Sequence, residues 1–100
     1  MNLFAILRRK GWKDKQSLED AGARSTRVGD EDMPEEVRWI RSYVLDEEDG
    51  TVGTVCIYEA TSADALRRHA SLADLPIDEI IPIGDTVLVR DDPQAQPVQA

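Results

Sequence analysis

The spacing of apolar and polar positions changes several times along the chain, and each change marks a predicted element. Residues 3–7 form a short apolar run that continues to Arg9 and meets a break at Lys10-Gly11, which predicts an opening strand over residues 3–9. Beyond a loop through Trp12, Ser17 is followed three residues later by Asp20, a variant of the capping box. Leu18, Ala21 and Val28 then supply a sparse apolar face, thinned by Gly22, so a helix is predicted here. It dissolves into residues 29–34, where clustered acids and Pro34 predict an exposed loop. Over residues 37–45 the period becomes two, with Val37, Trp39, Arg41, Tyr43 and Leu45 on one face and Arg38, Ile40, Ser42 and Val44 on the other. The acidic turn 46–50 reverses the chain, and residues 51–60, rich in Val, Thr, Ile and Tyr, return as a hairpin partner. Thr61 or Ser62 can cap a second helix whose buried stripe is Ala63, Leu66, Ala70 and Ala73, ended by Pro76. Residues 77–83 and 86–89 predict a last strand, interrupted around Gly84-Asp85 by a bulge or a break into two pieces.

The predicted order is strand, helix, strand, strand, helix, strand. That is the split βαβ arrangement of an α+β, ferredoxin-like βαββαβ fold, a four-stranded antiparallel sheet with two helices on one face. One domain is expected over residues 1–91, with a disordered tail over 92–100, where Pro93 and Pro97 lie among Gln and Ala. The helix-free face of such a sheet, carrying Trp39 and Tyr43, would expose apolar area, so a homodimer closed through that face is expected.

Composition narrows the classes of function. In 100 residues the net charge is −8, which disfavours binding to nucleic acid or to an anionic membrane and leaves a cation or a small ligand as the easier partner. No stretch has the length of a membrane span, and the start lacks the order of a signal peptide. One cysteine, Cys56, permits no intrachain disulfide, so a reducing, cytoplasmic setting is expected. The acidic stretches 30–32 and 46–49 lack the alternating ligands of a calcium loop. Arg8-Arg9-Lys10 and Arg67-Arg68, without interleaved aromatic residues, read as ordinary surface charge.

The segments VRWIRSYV, VCIYEA and ALRRHASLADLPIDEI, in that order over the last two-thirds of the chain, carry a family resemblance. The chain resembles a family of small bacterial proteins of unknown function that includes a nickel-binding protein. The resemblance implies a ferredoxin-like homodimer with a nickel site. Arg41 stands where the family pattern commonly has His, and a guanidinium does not ligate a metal. Nickel accepts imidazole, thiolate or carboxylate, which nominates His69, Cys56 and Glu59 as ligands. Regular alternation puts Cys56 and Tyr58 on one face of their strand and Glu59 on the other, so these donors converge only if a second subunit contributes. As ordinary structure, Cys56 is a small buried hydrophobe, Glu59 a strand-end carboxylate and His69 a residue of the helix surface.

A second class of function competes with metal binding. Cofactor-free monooxygenases and isomerases are built on dimeric ferredoxin-like barrels, and Trp39, Arg41, Tyr43 and Tyr58 could line a pocket in which a small organic anion stacks on rings and pairs with Arg41. His69 would be its acid–base group. The same aromatic residues also suit core or dimer packing. A noncatalytic interaction module is the third reading.

Overall fold

The computed structural model describes residues 1–93; of the tail expected over 92–100, residues 94–100 lie outside the described residues. The elements run β1 (Asn2–Trp12), α1 (Lys15–Arg27), a π-helical turn (Val28–Asp32), β2 (Val37–Asp46), β3 (Val52–Ala60), α2 (Ala63–Ala73) and β4 (Glu79–Pro82). The strands form one sheet in the order β2-β3-β1-β4, with every neighbouring pair antiparallel. This is the ferredoxin-like fold.

Alternation along β1 sends Phe4, Ile6 and Arg8 into the interior, and the strand does not end at Lys10-Gly11 as expected. The ladder slips between Arg8 and Trp12, Lys10 adopts a φ of 51°, and Trp12 rejoins β3 opposite Val52. The break in the sequence is therefore a bulge within a longer strand. Helix α1 begins earlier than the Ser17 signal suggests, because the Asp14 carboxylate caps it by accepting the Ser17 N–H at 2.9 Å. Its end widens into the π-helical turn, which buries Val28 while Met33 fills the core just beyond. The acidic stretch expected as an open loop is thus anchored at both ends. Helix α2 is capped by the Ser62 hydroxyl, which accepts the Ala65 N–H at 3.1 Å, and it closes on Asp74 in the left-handed region.

Two further expectations change. In β2 the register slips at Ile40: Trp39 pairs with Tyr58, whereas Arg41 pairs with Ile57 and Tyr43 with Val55. Trp39 therefore faces the helices, while Arg41 and Tyr43 face the other way, and the regular alternation predicted across residues 37–45 does not hold. The last strand is only four residues long, and residues 86–89 form no strand. Phe4 pairs with Pro82 and the Ile83 N–H donates to the Leu3 carbonyl, so β4 has already reached the beginning of β1 and no partner backbone remains.

The core, between the sheet and the helices, holds Phe4, Ile6, Val28, Met33, Val37, Cys56, Tyr58, Leu66 and small alanines. On the helix-free face, Leu3, Ala5, Leu7, Val55 and Ile57 are half-buried and Tyr43 and Ile81 are exposed.

Candidate functional site

Three rows of side chains cross the helix-facing side of the sheet. Trp39, Tyr58 and Phe4 make the first, Ser42, Cys56 and Ile6 the second, and Val44, Thr54 and Arg8 the third. Helix α1 lies over these rows and leaves a cleft of about 300 Å³, with Trp12, Leu18, Ala21 and Leu75 among its walls. Exposed Glu19, Trp39 and Val44 border its mouth. The volume is at the small end of the range for ligand pockets, about 300–1,000 Å³.

The polar groups in the cleft are ordered. The Trp39 indole Nε1–H donates to Ser42 Oγ at 2.8 Å, Ser42 donates to Cys56 Sγ at 3.0 Å, and the thiol donates to Thr54 Oγ1 at 3.2 Å. Every donor in this chain points toward Thr54, which stands opposite Arg8 in the β1–β3 ladder. Arg8 is 1% exposed; its Nη1 donates to the Pro76 carbonyl at 2.6 Å, and its Nη2 has no hydrogen-bond partner among the described residues. The Tyr58 hydroxyl shares a 2.9 Å hydrogen bond with Ser25 of α1, and burial pushes the phenol up, so it stays protonated.

A second hollow, on the far side of Trp39 and Tyr58, is lined by His69, Gly29, Asp30 and Arg38. Trp39 and Tyr58 stack with ring centroids 6.2 Å apart, and His69 meets Tyr58 edge-on at 5.5 Å. His69 is not on the helix surface; it is 1% exposed. Its Nε2–H donates to the Ser25 carbonyl at 3.0 Å, which leaves Nδ1 as the unprotonated nitrogen, buried and without a partner among the described residues. Burial holds the imidazole below its usual range, the Ser25 bond opposes this, and the positive charge of Arg8 adds to it.

Of the residues expected in a pocket, the structure joins Trp39 and Tyr58 and separates Arg41 and Tyr43 from them by the thickness of the sheet. On the outer side, Arg41 and the Tyr43 hydroxyl both bond the Asp92 carboxylate. The expected metal ligands are also apart. The Cys56 thiol belongs to the donor chain of the cleft, and Glu59 lies on the opposite face of β3, paired with Arg38 at 3.1 Å. Arg8 was expected as surface charge. Its signal is parity, because Phe4, Ile6 and Arg8 share the inward face of β1.

Residues 4–83 match the family described as nickel responsive protein SCO4226-like. The chain belongs to this family. The crystal structure of SCO4226 from Streptomyces coelicolor A3(2) is similar in fold, with a TM-score of 0.67 and 22% sequence identity over 85% of this chain and 99% of that one. No curated protein matches the chain. The nickel in the family's description can be tested against the donors of this member. Among the described residues no three His, Cys, Asp or Glu side chains stand together to hold a metal ion. The one imidazole is held by the Ser25 carbonyl, and the one thiol by two hydroxyls. The described donors of a single chain do not stand together as a nickel site. No helix among the described residues is long and apolar enough to cross a membrane.

Proposed function

We propose that the protein is a homodimeric small-ligand-binding protein whose ligand occupies the cleft between α1 and the sheet. The observation that carries this reading is the cleft itself, about 300 Å³ with largely apolar walls and a short set of ordered polar groups. The apolar helix-free face supports the second copy, since a monomer would leave Leu7, Ile57, Ile81 and Tyr43 facing water. We keep the cytoplasm as its setting on the strength of the single thiol, which is buried.

Trp12 and Trp39, the two tryptophans of the chain, both line the cleft, so their indole N–H resonances report its occupation. Titration with benzyl alcohol or phenylacetate is expected to shift both signals and to saturate; if neither compound does so, ligand binding in the cleft is refuted. Light scattering on the full chain is expected to give twice the mass of one 11.2 kDa copy, and a monomer mass removes the dimer.

Nickel is the second reading, favoured by family membership together with the unpartnered Nδ1 of His69. Because one chain offers no three-donor set among the described residues, this reading requires donors from two copies. Calorimetric titration of tag-free protein with nickel, zinc and cobalt tests it. Stoichiometric nickel uptake that disappears in His69→Ala supports the reading, and no uptake by the unaltered protein removes it.

A further inference from the structure

We propose that the cleft selects a small carboxylate with an apolar body, its charged end paired with Arg8. This deepens the cleft reading and rests on it. A guanidinium presents donors only, and Arg8 keeps one nitrogen, Nη2, without an acceptor although the residue is 1% exposed. Leaving a charged donor unpaired in the interior is costly, and an acceptor that arrives with a ligand removes the cost.

The donor chain from Trp39 points independently to the same end. It runs through Ser42 and Cys56 and stops at Thr54, whose oxygen accepts from the thiol. Thr54 and Arg8 are partners across the β1–β3 ladder, and both line the cleft. A guanidinium lining such a cleft suits the two oxygens of a carboxylate.

The remainder of the cleft fits the rest of such a molecule. Trp12, Leu18, Ala21, Val44 and Leu75 offer apolar surface, and Trp39 offers a ring face. The only carboxylate lining the cleft is that of Glu19, exposed at the mouth, and no ion pair joins it to Arg8 among the described residues. A net charge of −8 slows the approach of an anion from a distance, but that field is screened beyond about 8 Å at physiological salt, and the contact inside the cleft decides affinity.

The test compares phenylacetate with phenylacetamide and benzyl alcohol on the full-length protein, following the indole N–H signals of Trp12 and Trp39. Phenylacetate is expected to bind at least about tenfold more tightly than its neutral amide, the worth of a charge-assisted hydrogen bond. In Arg8→Met, phenylacetate affinity is expected to fall about thirtyfold or more, and the preference for the acid over its amide is expected to disappear. The acid–amide comparison needs no variant and stands even if Arg8→Met fails to fold. Equal affinity for the acid and its amide would overturn the carboxylate assignment while leaving the cleft reading intact. Failure of all three compounds to shift the signals would overturn both.

Discussion

Arg8 makes a prediction about stability that can be worked from its surroundings. In Arg8→Met the chain keeps an unbranched side chain in the inward row of β1 and loses a buried positive charge. What it forfeits is the 2.6 Å bond from Nη1 to the Pro76 carbonyl, worth about 1.5–3 kcal/mol for a charged donor. That bond is part-buried and Pro76 is exposed as a residue, so water can make up part of this value. What the variant gains is relief from burying a guanidinium whose Nη2 is unpaired, a penalty of several kcal/mol for a group 1% exposed. The balance predicts that Arg8→Met is as stable as the original or more stable by up to about 4 kcal/mol. Urea unfolding followed by circular dichroism measures it; with a slope of about 1 kcal/mol per molar, a gain of 2 kcal/mol raises the midpoint by roughly 2 M. A loss of stability beyond about 1 kcal/mol, at an unchanged slope, would show that Arg8 is a structural tie and would refute the reasoning. A gain would identify a residue that weakens the free protein, the pattern of a group kept for what it binds.

Two other predictions concern the bulged end of β1. Glu47 accepts hydrogen bonds from the Arg9 guanidinium and from the Lys10 N–H, and these, the first above all, lower its pKa from 4.5 to about 2. A carboxylate lowered on folding adds stability that is fully present above pH 4.5 and is lost as the pH falls toward 2. Glu47→Gln should flatten the acid limb of the stability profile in that window, and an unchanged limb would contradict the assignment. Gly53 lies where an added Cβ would sit 2.6 Å from both the Arg8 carbonyl oxygen and a Glu47 carboxylate oxygen. Gly53→Ala should therefore cost on the order of 1–3 kcal/mol in urea unfolding, and a neutral result would show that the bulge yields easily.

Most of the fold was legible because its signals are local. The alternation of β3, the Ser62 cap and the alanine stripe of α2 each specify an element within a few residues. The departures come from partners distant in the chain. Residues 86–89 have the composition of a strand, but β4 reaches the beginning of β1 at Leu3 and finds no further backbone to pair with. The slip at Ile40 in β2 has no local mark, because both faces of residues 37–45 mix apolar and charged side chains. Within the site, Tyr58 and Trp39 were visible as aromatic residues on facing strands. Arg8 was hidden by its neighbours: in Arg8-Arg9-Lys10 the run of charge obscures the parity that sends only the first inward. His69 was hidden by its helix, since its burial depends on Tyr58 and on the Ser25 carbonyl of α1.

The slip at Ile40 has a functional consequence. Without it, regular alternation would put Trp39, Arg41 and Tyr43 on one face. With it, Trp39 turns inward to start the donor chain that ends beside Arg8, and Arg41 and Tyr43 turn outward to meet Asp92. One extra residue in an edge strand thus separates two chemistries that the sequence places side by side. The inner face holds the one buried guanidinium among the described residues and a set of directed hydrogen bonds. The outer face holds charges in contact with water and apolar side chains that need a cover. A substitution at Arg41 therefore acts on the outer surface and one at Arg8 on the cleft, so the proposed ligand binding and the proposed self-association are expected to respond independently, Arg8→Met altering the first and Arg41→Ala only the second.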